Sequence, residues 1–378
     1  MMKSTVVLLP CSSYQEDTVY KAVKQGIDLL GGLQQFIKTD EKILVKPNLL
    51  SSATPDKAIT THPSVFGALL RCLREEGYAS VTYGDSPGSP VADLEKTVEM
   101  AGLKAQAERY KVPMGDFSGA ETINYPEGSV CRKFVLCHAV NDADAIISVC
   151  KMKTHALENI TGAVKNQYGC IYAANKAVGH AKYPNSQSFA NMLIDLNKHL
   201  AVRLFLMDGI MAMEGNGPAS GTPTPMNVIL LSADPVALDS VFAHLVDLDP
   251  RNVPTCVSGA KMGLGRMNDD EICVLTPHGE LTVKEAAAQY GNPKFDVKRT
   301  NPIFWRVRAL LPKLRRYHDK PVVDLNKCIG CGICQEACPV EGKAVHSGHG
   351  EKAQYDYTKC IRCYCCQEMC PAKAISKR

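Results

Sequence analysis

The chain has 378 residues, 45% of them hydrophobic and 22% charged, with a net charge of +4. That is ordinary globular composition, and the modest charge gives no reason to expect a nucleic-acid partner. No apolar run approaches the roughly 18 residues of a membrane span, and the short apolar run within residues 1–10 cannot serve as a secretory signal.

Up to about residue 280 the chain alternates short β-branched runs with helical patterns. Strands are expected at 5–9, 43–45, 80–83, 134–139, 145–149, 203–207, 227–231 and 272–275. Helices are expected at 18–30, 64–76, 91–101, 187–200 and 235–246. Two of them carry start signals, His62-Pro63 after Thr60 and Thr61, and Asp234-Pro235. Continuous apolar strands between helices imply an α/β fold, a mostly parallel sheet covered by helices on both faces.

In such sheets the ligand crevice lies outside the carboxyl ends of the strands. The polar residues after the strands therefore matter most. They are Lys46-Pro47-Asn48, Gly84-Asp85-Ser86-Pro87-Gly88, Lys151-Met152-Lys153-Thr154-His155, Asp208-Gly209 and Ser232-Ala233-Asp234. Turn or cap chemistry accounts for any one of these; convergence of all five points to a site. Gly162-Ala163-Val164-Lys165-Asn166 follows closely. Lys153, His155 and Lys165 are the candidate catalytic residues, and such a cationic pocket suits a carboxylate, phosphate or carbonyl oxygen. His155 could donate a proton near neutral pH. Solvated turn lysines and a satisfied histidine are the competing explanation.

The glycine-rich segment 214–221 has G-x-G-x3-G spacing with Pro223 and Pro225 where a helix should start, so it is no dinucleotide site. A phosphate-binding P-loop, a nucleophile elbow and an H-E-x-x-H zinc motif are also absent from the sequence.

Residues 294–320 hold nine Lys or Arg against two acids, Asp296 and Asp319. Ile303, Phe304, Val307, Leu310, Leu311 and Leu314 recur at near-helical spacing around Trp305. This reads as a basic linker packing the tail on the body, with partner docking or a membrane surface as the alternative.

The tail carries the strongest signal. Cys328, Cys331, Cys334, Cys338 and Pro339 form one C-x2-C-x2-C-x3-C-P run, and Cys360, Cys363, Cys366, Cys370 and Pro371 form a second. In two-cluster ferredoxins the fourth cysteine of each run serves the other cluster. Crossed ligation gives Cys328, Cys331, Cys334 and Cys370 to one [4Fe-4S] cluster, and Cys360, Cys363, Cys366 and Cys338 to the other. Cys365 keeps neither spacing and reads as a spectator. His346 and His349, between the runs, read as loop residues. The remaining cysteines (Cys11, Cys72, Cys131, Cys137, Cys150, Cys170, Cys256 and Cys273) read as buried free thiols. So many thiolates suit a cytoplasmic, anaerobic or low-oxygen setting.

Several of these segments together resemble domain-of-unknown-function family 362. They are Lys46-Pro47-Asn48-Leu49, the 151–155 segment, Thr161 to Asn166, Asp208-Gly209-Ile210, the 214–221 segment and Asp234-Pro235-Val236-Ala237-Leu238-Asp239. Members of that family often carry a C-terminal two-cluster ferredoxin module. The resemblance implies one shared site but no particular reaction.

The expected organisation is an α/β domain over 1–290, a basic linker over 291–320 and a small α+β two-cluster ferredoxin-like domain over 321–378. The favoured role is an iron-sulfur redox protein passing low-potential electrons to a substrate, cofactor or partner bound in the α/β domain. That would make it a ferredoxin-dependent oxidoreductase, with a redox protein partner or a small-molecule substrate. The alternatives are a non-catalytic electron carrier or assembly factor, and an enzyme whose clusters are structural. A flavin is compatible with the sequence, but nothing in it indicates one. The sequence leaves oligomeric state open.

Overall fold

A computed structural model describes residues 3–88, 93–299, 319–348 and 350–378. The expected linker helix within 303–314, residues 91 and 92 of an expected helix, and His349 lie outside the described residues.

Side-chain alternation builds the central sheet. The strand β1 (Ser4–Pro10) sends Val6 and Leu8 to one face, Val7 and Leu9 to the other; β2 (Ile43–Pro47) divides Leu44 from Ile43 and Val45 likewise. Both faces are apolar and both must be covered. Along the chain follow β3 (Val81–Tyr83), β4 (Ala120–Asn124), β5 (Lys133–Cys137), β6 (Ala145–His155) and β7 (Asn159–Thr161). Then come β8 (Leu204–Glu214), β9 (Thr222–Ser232), β10 (Ile272–Thr276) and β11 (Gly279–Leu281). The sheet order is β11-β10-β1-β9-β8-β6-β2-β3, with β7 paired to β6.

The sheet is mostly parallel, through β10/β1 and the block β8-β6-β2-β3. The strand β9 departs from this, lying antiparallel to both β8 and β1. A short loop joins β8 to β9, and a hairpin connection can make only an antiparallel pair. The expected strand at 134–139 forms as β5, but it pairs with β4 in a separate two-stranded sheet.

One face is covered by helices Glu16–Leu29 and Pro63–Glu75, which bury Val19, Val23, Phe66 and Leu69. The other is covered by helices Ser186–Leu200 and Pro235–Leu245, which bury Phe189, Leu193, Val236 and Phe242. Local chemistry sets where they start. Asn185 and Ser188 form a reciprocal capping box. Asp234 caps its helix by accepting from Val236 N and Ala237 N, both at 2.9 Å.

The cysteine-rich tail folds as a pair of like halves. β12 (Pro321–Val323) pairs with β15 (Ile375–Lys377), and β13 (Val345–Gly348) pairs with β14 (Glu351–Tyr355). Each run contains a short helix just before its fourth cysteine, Ile333–Glu336 or Cys365–Glu368. Gly330 and Arg362 occupy the same place in the two runs, and both have positive φ, 68° and 61°. The tight turn needed to wrap a loop around a cluster imposes that conformation, which glycine tolerates at no steric cost. Among the described residues no helix is long and apolar enough to cross a membrane.

Candidate functional site

The strand β6 is buried along all eleven of its residues, yet it carries Lys151, Lys153 and His155 at its carboxyl end. Each needs a partner there, because a buried charge without one is costly. Lys151 Nζ donates to Asp208 Oδ2 at 2.7 Å and to Tyr14 Oη at 3.0 Å. A register shift in the β6/β8 pairing falls between Lys151 and Lys153. Lys153 Nζ donates instead to Asn48 Oδ1 and to Ile59 O, each at 2.7 Å. Burial, then the positive Lys165 and Lys151, pull its pKa down to about 7.

His155 Nδ1 accepts backbone N–H bonds from Leu157 at 3.0 Å and Glu158 at 3.1 Å. An accepting nitrogen carries no proton, so the ring hydrogen of the neutral form sits on Nε2. Burial, followed by Lys165, pulls the histidine down to about 4 and keeps it neutral. Nε2 lies 3.0 Å from Glu368 Oε1 of the cysteine-rich module. The two atoms are in close electrostatic contact but off the axis of an aligned hydrogen bond. Burial alone would push the Glu368 carboxyl up; Lys165 and His155 overcome it and hold it well below the usual carboxylate range.

These groups wall a cavity of about 300 Å³ between the α/β body and the cysteine-rich module. From the body come Asn48, Asp85, Ser86, Lys153, His155 and Lys165, with Tyr168, Lys176, His180 and Pro218. From the module come Ile333, Glu336, Ala337, Cys365, Glu368 and Met369. Asp85 is held by Lys46 Nζ at 2.9 Å and by Leu49 N at 2.8 Å. A Cβ on Gly169 would lie 1.8 Å from Asp85 Oδ1 and 2.7 Å from Lys46 Nζ, so only glycine lets the backbone pass this buried ion pair.

Lys153, His155 and Lys165 thus reach one cavity, and so do three of the five polar segments. Asp208-Gly209 and Ser232-Ala233-Asp234 do not line it. Asp208 is occupied by Lys151, Tyr14 and the His62 backbone N–H at 3.0 Å, while Asp234 caps a helix and accepts from Ser4 Oγ at 2.6 Å. Asp239 is equally structural, accepting from Ala163 N at 2.6 Å and Val164 N at 3.1 Å.

Sequence reasoning missed Lys176 and His180, which sit on the helix Ala173–Lys182. Lys176 donates to Ser86 O and to Pro87 O at 2.8 Å; burial pulls its pKa to about 8. His180 stacks on Phe189 at 4.4 Å, and burial pulls it to about 3. The only available signal was their four-residue spacing, which puts both on one helix face.

In the module, Cys328, Cys331, Cys334 and Cys370 line one small void. Burial pushes the Cys360 thiol up, and the nearby Cys363 and Cys338 add to this. Sulfurs also accept protein donors, from Ala353 N to Cys328 at 3.5 Å, Ala344 N to Cys338 at 3.4 Å, Ala374 N to Cys370 at 3.3 Å and Tyr355 Oη to Cys366 at 3.2 Å. Cys365 lies outside the void and lines the large cavity instead. Seven of the other eight cysteines are buried free thiols; Cys273 is half-buried. His346 is exposed.

The two units are locked together. Gln367 Nε2 donates to Asn216 O at 3.0 Å and Gly217 O at 3.1 Å, Asn216 Nδ2 donates to Ile375 O at 2.9 Å, and Lys377 Nζ donates to Ala156 O.

Comparison with known proteins gives three findings. The family described as "Domain of unknown function (DUF362)" matches residues 43–244, and a "4Fe-4S dicluster domain" matches residues 320–371. A thylakoid-associated protein of Synechocystis sp. is 31% identical over 264 residues, covering 70% of this chain and 81% of that protein. Among solved structures, the lactate racemase apoprotein from Thermoanaerobacterium thermosaccharolyticum matches with a TM-score of 0.40 and 14% identity over 60% of this chain and 54% of its own. A Thermotoga maritima protein matches with a TM-score of 0.35 and 14% identity, covering 56% of this chain and 53% of its own. The chain spans about half the length of these two structures.

Proposed function

The chain belongs to domain-of-unknown-function family 362, and we propose that it passes low-potential electrons through two [4Fe-4S] clusters to a molecule bound in the cavity between its two units. One observation carries this reading. The helix Cys365–Glu368, set between Cys363 and Cys370, forms a wall of the cavity that also holds Lys153, His155 and Lys165. An electron leaving the module on that side enters the cavity without crossing bulk protein.

The cysteine placement fits the clusters. The void shared by Cys328, Cys331, Cys334 and Cys370 supports crossed ligation, with Cys338 completing the set of Cys360, Cys363 and Cys366. When bound, each cluster supplies one electron at a time, so a two-electron reduction takes two successive transfers. The protein's own groups supply the rest. Lys165 stabilises negative charge on the acceptor. His155, kept neutral by burial with its hydrogen on Nε2, cannot supply a proton near neutral pH as its residue type suggested; it offers the cavity a hydrogen-bond donor instead. Lys153, with a pKa near 7, holds Asn48 in place and donates or retains a proton at working pH.

Electrons need an entry face. A groove beside Cys360 is lined by Arg251, Lys298, Lys359, Arg362 and Lys377, with Asp319 as its acid. Its basic character supports an acidic redox partner. Seventeen cysteines and no disulfide among the described residues support a cytoplasmic setting.

The test is direct. Anaerobic, cluster-loaded protein is reduced with dithionite and mixed with unsaturated carboxylic acids, and cluster re-oxidation is followed by absorbance. The reading expects acid-dependent re-oxidation. Turnover of the same acids with the clusters held oxidised would make the clusters structural and overturn it.

A further inference from the structure

Lys165 differs from the other two lysines of the cavity wall. Lys153 is satisfied by Asn48 and Ile59, and Lys176 by Ser86 and Pro87. The half-buried Lys165 ammonium has no hydrogen-bond or ion-pair partner among the described residues, and it lies 5.7 Å from the centroid of the Tyr168 ring. The acids around it do not neutralise the site. Asp85 is matched by Lys46, which leaves two carboxylates, the exposed Glu336 and the buried Glu368, against Lys153, Lys165 and Lys176. An excess of positive charge remains in a space of about 300 Å³. Leu50, Ile333, Ala337 and Met369 supply apolar lining.

We propose that the cavity binds a small organic acid, its carboxylate on Lys165 and its apolar body against Leu50, Ile333 and Met369. This deepens the proposed redox function by naming the class of acceptor, and it rests on that reading only for what the bound acid then does. A ligand pocket of this size lies at the small end of the usual range. A charged donor paired with a carboxylate is the strong polar anchor such a pocket needs. The anion also lies beside the helix that follows Cys363, so an electron added to the neighbouring cluster opposes it. By reciprocity the bound acid must lower that cluster's reduction potential. A tenfold weaker affinity in the reduced state corresponds to about 59 mV for a one-electron couple.

Calorimetry on the cluster-loaded, oxidised protein tests the site with benzoate, benzamide, acetate and inorganic phosphate. Benzoate should bind. Benzamide, which lacks the charge, and acetate, which lacks the apolar body, should each bind at least about 10-fold more weakly. Lys165→Ala should weaken benzoate by about 10-fold or more. Because Lys165 makes no hydrogen bond to either unit, iron content should not change. Equal binding of benzoate and benzamide, or wild-type affinity in Lys165→Ala, would overturn the proposal. Phosphate binding tighter than benzoate would overturn the organic-acid class. A redox titration with benzoate separates the two readings. Binding without any shift in either cluster's potential leaves the acid site standing and removes the redox role. Absence of binding, with electrons still delivered to other acceptors, removes the acid site and leaves the redox role.

Discussion

His155 Nε2 stands 3.0 Å from Glu368 Oε1, across 213 residues of sequence and from one unit of the protein to the other. The histidine belongs to the end of a buried strand, the glutamate to the four-residue helix between Cys363 and Cys370. The contact makes the cysteine-rich module part of the cavity rather than an appendage to it.

Removing either basic group from that site should reduce activity without unfolding the chain. His155→Ala or Lys153→Ala should slow acceptor reduction by about 100-fold or more, the scale of losing one preorganised donor. Iron content should match wild type. Loss of iron or a collapsed melting transition in either variant would make the residue structural.

The same site carries a pH signature. Lys153 has a pKa near 7, so it loses its positive charge as pH rises through about 7; Lys176 follows near 8. Affinity for a carboxylate ligand should therefore fall between pH 6 and 9, as measured by calorimetry. Lys153→Met should remove the lower step. A flat profile in wild type would show that neither lysine's charge reaches the ligand.

Cysteine substitutions test the crossed ligation. Cys370→Ala should disturb the cluster held by Cys328, Cys331 and Cys334, with iron falling from about eight to about four per chain. The paramagnetic spectrum should identify the surviving cluster. Selective loss of the Cys360 cluster would refute the crossing. Cys365→Ser should leave iron content nearly unchanged, since Cys365 keeps neither spacing of its run.

Asp208 anchors the buried Lys151 at 2.7 Å. Asp208→Asn keeps the shape and removes the charge, leaving Lys151 unpaired in the core. Breaking a buried pair in this way costs about 3–5 kcal/mol. Chemical denaturation should show the loss.

Acid should destabilise the fold through its buried histidines. Burial holds His155 near 4 and His180 near 3, below the ordinary histidine value of 6.5. Below pH 6.5 the unfolded chain takes up protons that the folded chain refuses, so stability falls as pH drops. The melting temperature should decline from pH 6.5 to about 5. His180→Phe, which preserves the stack on Phe189, should flatten that decline.

Some of this protein was legible in its sequence, because it depends on residues near one another. The C-x2-C-x2-C-x3-C-P runs fix two wrapping loops by spacing alone. Asp234-Pro235 and Thr61-His62-Pro63 mark helix starts through the first turn's own backbone groups. The alternation in β1 and β2 requires a sheet covered on both sides. Even Lys153 and His155 stand out, as polar residues clustered directly after the apolar run 145–149, although the strand itself continues through them.

The tertiary structure decided what depends on distant partners. Both Asp208 and Asp85 follow strands, and nothing local distinguishes them. Only packing shows that Asp208 is occupied by Lys151 and Tyr14 while Asp85 faces the cavity. Lys176 and His180 gain their place only through packing, against the loop Ser86-Pro87 and the ring of Phe189. Cys365 is set aside by its spacing, and docking of the module turns it into a cavity wall. Glu368 carries no signal at all. Its role comes from the seating of the module, fixed by Gln367 on Asn216 and Gly217, and hydrogen bonds between segments so far apart leave no period in the sequence.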